Sequence, residues 1–231
     1  MRWLARLALC AGALAMLTGC AATIGEPAAR RQMLDAFLAQ PHRFVVFAPA
    51  GFRMDEQLKV LGLERRGDPV VERFDPVRPL MGVAERIVAA NPLLANGSTG
   101  IAVGREVGAL RLDPAQPVLF LHATWKLVYR RLPPDLWRYR LQAGIVAKIV
   151  PLGQVLSGEG ALNLPTAAWH EGCAVDAFDG AFLHIAEWTR DEGGRLDEAI
   201  AEVQAECGAG LGASLARALS RRAAYQSSHS G

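Results

Sequence analysis

The chain has 231 residues, with 25 Lys and Arg against 23 Asp and Glu, a formal net charge of +2. That length accommodates one domain with a proper core, and so small a basic surplus excludes a protein built to hold a nucleic-acid backbone. The four cysteines, at 10, 20, 173 and 207, lack the CxxC spacing of a zinc site.

At the N-terminus, Arg2 and Arg6 precede an apolar run from Leu7 to Leu17, broken only by Gly12. The run is about half of the roughly 20 residues that a spanning helix needs. A basic start, a short apolar core and small residues after it make a secretory signal peptide. The segment ends in Leu17-Thr18-Gly19-Cys20, which resembles the lipobox of bacterial lipoprotein precursors. The resemblance covers the leader alone. It implies that the Cys20 thiol receives a diacylglyceryl group, that residues 1–19 are removed, and that the new amino group is acylated. Two or three acyl chains on one residue meet the two-signal requirement for stable anchoring. Ala21 stands where an Asp holds many such proteins in the inner membrane. The resemblance therefore implies the periplasmic side of the outer membrane, with the inner membrane as the alternative. Arg2 and Arg6 are the only charged residues removed, so the mature chain is left with 23 basic and 23 acidic side chains.

Residues 20–29 read as a lipidated tether, small and interrupted by Gly25 and Pro27, and residues 30–222 as a single α+β domain. Met33, Leu34, Phe37 and Leu38 predict a short helix. "RFVVFAP" (43–49) predicts a strand buried on both faces. Pro79 to Ala90 predicts a helix with Leu80, Val83, Ala84, Ile87 and Val88 on one side. The strongest pattern lies in 118–150. Leu119, Leu121, Ala123, Trp125, Leu127 and Tyr129 alternate with His122, Thr124, Lys126 and Arg130. After "LPPD", Tyr139, Leu141, Ala143, Ile145, Ala147 and Ile149 alternate with Arg138, Arg140, Gln142 and Lys148. Period-two alternation around a Pro133-Pro134-Asp135 turn predicts an antiparallel hairpin with one buried face. "GQVLSGEGAL" (153–162) reads as a third, poorer strand.

The last third reads as helical, starting at Pro165-Thr166 and breaking at "RDEGG". A second helix runs from Arg195, with Leu196, Ile200, Val203, Cys207, Leu211, Leu215 and Leu219 recurring every three or four residues. Gly208, Gly210 and Gly212 each cost about 1 kcal/mol inside a helix, which predicts a bend or break. Residues 223–231 read as a disordered tail. Cys10 goes with the leader and Cys20 takes the lipid. Cys173 and Cys207 then remain as a pair outside the cytoplasm, where disulfides persist.

No nucleophile elbow, phosphate loop, HExxH or EF-hand pattern occurs, and no metal or cofactor is called for. "WHEGC" collects His170, Glu171 and Cys173 near Asp176 and His184. On a helix His184 lies about 21 Å from His170 along the axis, so the cluster reads as a polar helix entry with a stapling cysteine. His122 has no nameable acid–base partner. Lys126, Arg130, Arg138, Arg140 and Lys148 share one sheet face, which makes it the candidate interaction surface.

These readings combine into an antiparallel sheet, built from the 118–150 hairpin and a strand near 43–49, covered by amphipathic helices. The expected role is non-enzymatic: a membrane-anchored accessory or scaffolding component of an envelope transport or assembly system, with an envelope protein as partner. A lipid- or small-ligand-binding lipoprotein is one alternative. A periplasmic hydrolase using the His170/His184 region is the other.

Overall fold

The computed structural model describes residues 27–47, 52–54, 77–95, 98–103, 111–129, 138–157, 167–188 and 190–229. The leader, Cys20 and Arg130 lie outside them. The architecture is α+β. Among the described residues its α-helices are α1 (Pro27–Ala39), α2 (Val77–Ala89), α3 (Pro92–Ala95), α4 (Leu152–Leu156), α5 (Ile185–Trp188) and α6 (Gly194–His229). Its strands are β1 (His42–Phe47), β2 (Phe52–Met54), β3 (Ser98–Val103), β4 (Pro117–Tyr129), β5 (Arg138–Pro151), β6 (Trp169–Asp176) and β7 (Leu183–His184).

The sheet runs in the order β3-β1-β4-β5-β6, with β2 continuing along β4 and β7 along β5. The β4–β5 hairpin forms where alternation places it, with Leu119 opposite Ile149 and Trp125 opposite Ala143. The expectation of a purely antiparallel sheet is corrected, because β1 pairs parallel to both β3 and β4. A strand between two parallel neighbours has no exposed face, and Val45 and Val46 are both buried.

One sheet face is covered by helices. Phe37 of α1, Leu80, Val83 and Ile87 of α2, and Val203, Leu211, Leu215 and Leu219 of α6 close over Leu121, Trp125, Leu141 and Ile145. Arg43, at the start of β1, ties down two helix ends. Its guanidinium donates to the carbonyls of Phe37 (3.3 Å), Leu38 (2.6 Å) and Leu93 (3.1 Å), groups that a helix C-terminus leaves without partners. Among the described residues no helix is long and apolar enough to cross a membrane.

Four expectations change. Residues 27–29 belong to α1 and not to the tether. Residues 152–156 are a helix, where a third strand was expected. Residues 169–176 are strand β6, not helix. "WHEGCAVD" is poor in β-branched residues and compatible with either state. What decides it is the edge of β5, whose backbone groups β6 satisfies from Gln142–Asp176 to Ile149–Trp169. Between β6 and β7 the chain leaves the sheet in a left-handed excursion at Phe178 (φ 55°), Asp179 (φ 52°) and Gly180 (φ 77°). Such non-glycine conformations cost about 1 kcal/mol or more each. Here α6 compensates: the Phe178 N–H donates to both Glu202 carboxylate oxygens at 3.1 Å, and Arg195 stacks 3.9 Å from the ring centre.

The fourth change is α6, which runs unbroken from Gly194 to His229. It passes through all three glycines and through most of the expected tail. A Cβ on Gly208 would stand 2.7 Å from Arg86 Cβ, and one on Gly212 2.8 Å from Ala90 Cβ. These glycines let α2 and α6 approach more closely than side chains allow, and the gained packing offsets their low helix propensity. Asn91, buried just after α2, spans the contact by donating to Ile87 O (2.7 Å) and Gly212 O (3.2 Å).

Candidate functional site: the open sheet face

The face away from the helices is only partly covered. At one end Val46, Val118, Phe120, Val150, Leu152 and Ala167 form a small second core. Beyond it, strand register lays out rows across β4, β5 and β6: Phe120–Lys148–His170, His122–Val146–Gly172, Thr124–Gly144–Ala174 and Lys126–Gln142–Asp176. The middle of this face is small. A groove of about 410 Å³ runs over it, lined by Thr124, Lys126, Gln142, Gly144, Ala174 and Asp176 among others. It exists because Gly144 and Ala174 leave a trough between longer neighbours. Adjoining Gly172 opens to solvent, with nothing within 4 Å of where its Cβ would stand.

Four members of the expected basic ladder, Lys126, Arg138, Arg140 and Lys148, fall on this face, while Arg130 lies outside the described residues, and the four differ in state. Lys126 is exposed. Arg140 is 3.1 Å from Asp176 and packs over the Phe182 ring. Arg138 donates through Nε to His184 Nε2 at 3.3 Å. Lys148 is only 7 % exposed, and burial lowers its pKa. His122 lies beside it. Burial first, and the Lys148 charge second, hold its imidazole pKa below the ordinary value. Its Nδ1 is buried with no hydrogen-bond partner among the described residues.

The His170–His184 region does not converge. Strand alternation sends His170 and Asp176 to the open face, and Glu171 and Cys173 toward α6. His170 pairs with Lys148 and His184 with Arg138, ten residues apart on β5, or roughly 33 Å. Among the described residues no group of three His, Cys, Asp or Glu could hold a metal. Glu171 instead accepts a 2.7 Å hydrogen bond from the Ser214 hydroxyl of α6. That bond, followed by the Gly172 N–H, lowers its pKa. Cys173 forms a disulfide with Cys207, across a Cα separation of 5.5 Å. It joins strand to helix, and not the two helices expected.

The acidic member of the site, Asp176, and the glycine–alanine trough are the features that sequence reading did not assign to this face. The alternation His170, Gly172, Ala174, Asp176 was their one signal, hidden while the segment was read as helical.

No protein-family model and no curated protein matches the chain. Among solved structures it is similar to a Helicobacter pylori protein described as a neuraminyllactose-binding hemagglutinin homolog. The two share 8% identity over 73% of this chain and 85% of that one, at a TM-score of 0.33, a likeness that carries no functional argument.

Proposed function

We propose that this chain is a lipid-anchored, periplasm-facing accessory protein of an envelope transport or assembly system, without enzymatic activity of its own. Its acyl chains on Cys20 hold it to the outer membrane, and its open sheet face docks an envelope protein. The observation that carries the reading is the lipobox-like Leu17-Thr18-Gly19-Cys20 placed seven residues before the first described helix. That spacing leaves only a short tether, of about 25 Å at full extension. The open face supports the second half of the reading. A trough of small residues rimmed by Lys126, Gln142 and Asp176 offers shape and both signs of charge to a partner. The distance between His170 and His184 favours docking over hydrolysis.

Two variants test it in native envelopes. Cys20→Ala releases the protein from membranes or leaves its precursor uncut; unchanged fractionation counts against the anchor. Gly172→Trp places a bulky side chain over the trough, where the open space accommodates it without disturbing the fold. Affinity capture from detergent-solubilised envelopes should then lose the partner that the parent chain retains. Equal recovery by both chains refutes docking on this face.

A further inference from the structure

Helix α6 is divided by charge. Residues 194–207 carry Asp197, Glu198, Glu202 and Glu206 against Arg195 alone, whereas residues 208–229 carry Arg217, Arg221 and Arg222 and no acidic residue. The helix dipole does not account for this. Its effect is confined to about the last turn, and residues 226–229 include no arginine or lysine.

Helix α1 adds to the imbalance. It carries Arg30 and Arg31 and one acid, Asp35, which is already engaged. Arg222 donates to Asp35 through Nε at 2.6 Å and through a terminal nitrogen as well. This pair links the basic half of α6 to α1. Arg31 stands one turn before Asp35, Arg221 adjoins Arg222, and Arg217 lies one turn before Arg221, at about 5.4 Å per turn. Arg31, Arg217 and Arg221 are all exposed. Tyr225, 46% exposed, lies with its ring centre 5.2 Å from the Arg222 guanidinium.

We propose that the surface formed by Arg31, Arg217 and Arg221, bordered by Tyr225, rests on the headgroups of an anionic bilayer. The bilayer is identified as the occupant by charge and by attachment. The patch is dominated by arginine, with Glu171 of β6 the acidic group whose charge acts on Arg217, on a chain whose mature charges balance, and α1 is the described element that follows Cys20 most closely in sequence. The proposal thus rests on the lipid-anchor reading and adds to it an orientation. Arginines near an anionic leaflet each favour binding by about fivefold, and tyrosine is at home at headgroup level. The attraction weakens within a Debye length of roughly 10 Å at 0.1 M salt. So docked, the open sheet face is left to a protein partner.

The test uses the purified lipidated chain at lipid excess. One set of vesicles is phosphatidylcholine alone; the other is an equal mixture of phosphatidylcholine and phosphatidylglycerol. Arginine labelling with phenylglyoxal is mapped by mass spectrometry, with Arg138 on the sheet face as reference. On the anionic vesicles, labelling of Arg31, Arg217 and Arg221 should slow by about fivefold or more and recover in high salt, while Arg138 is unaffected. The Arg217→Glu/Arg221→Glu variant should lose the protection of Arg31. Equal labelling on the two vesicle types overturns the proposal. So does protection seen only in native envelopes, which assigns the surface to a protein. Flotation with neutral vesicles reports the acyl anchor separately: failure there sinks the anchor, and charge-dependent protection is still read on the anionic set.

Discussion

Two glycine substitutions, two residues apart on α6, should move stability in different directions. Gly210→Ala adds a methyl group where nothing lies within 4 Å. It should stabilise the protein by about 1 kcal/mol, the difference in helix propensity between the two residues. In a domain of this size that raises Tm by roughly 2–4 °C. Gly212→Ala gains the same propensity but places its Cβ 2.8 Å from Ala90 Cβ and 3.5 Å from Ile87 Cα. Neither neighbour is the free end of a flexible side chain, so α2 itself must shift, and overpacking of this kind costs about 1–3 kcal/mol. Propensity cancels in the comparison. Gly212→Ala should therefore lie about 1–3 kcal/mol below Gly210→Ala, or roughly 3–10 °C in Tm. The assay is thermal and urea unfolding followed by far-UV circular dichroism, with the urea slope checked for constancy. Equal shifts for the two variants would refute the close α2–α6 contact and favour a helix broken at these glycines.

Removing the Cys173–Cys207 bridge should be costlier. Its sequence separation of 34 corresponds to about 4 kcal/mol of loop-closure entropy. Cys173→Ala/Cys207→Ala should lower Tm by roughly 10 °C, and reductant should shift the parent chain likewise while leaving the variant unmoved. A parent indifferent to reductant would refute the bridge. The half-buried imidazole of His122 gives a pH dependence with a definite sign. Its folded pKa lies below the ordinary 6.5, so between the two values the unfolded chain binds more protons. Stability is then highest above 6.5 and falls as pH drops through that value toward the folded pKa. His122→Phe should flatten this part of the profile of urea midpoint against pH; an unchanged slope would show that the imidazole is not held neutral by its surroundings.

Residues that contact their own near neighbours announced themselves in the sequence. The apolar faces of β4 and β5 are written as period-two alternation. Antiparallel register sets each residue opposite its partner on the adjacent strand, so Leu119, Trp125, Leu141 and Ile145 are identifiable as core from the alternation alone. The same holds for α1 and α2, whose apolar spacing matches a helical stripe; Cys173 and Cys207, 34 residues apart, are paired by elimination instead, because Cys10 and Cys20 belong to the leader and its end. It also held for the placement of Lys126, Arg138, Arg140 and Lys148 on one face, because alternation alone determines facing. Facing does not determine state. That Lys148 is sunk beside His122, and that Arg140 meets Asp176, depends on β6, whose strand character comes from the edge of β5.

The remaining features are decided between elements distant in the chain. "WHEGCAVD" carries no strong local preference, and the unsatisfied backbone of β5 makes it a strand. Gly208 and Gly212 are helix-weakening read locally, yet they sit inside a continuous α6 because α2 lies too close for any Cβ. The parallel pairing of β1 and the trough over Gly144 and Ala174 have the same origin. Periodicity along the chain records what each residue does to its own helix or strand. A choice between two nearly equal local states is settled by backbone pairing and close packing that exist only once the elements have come together.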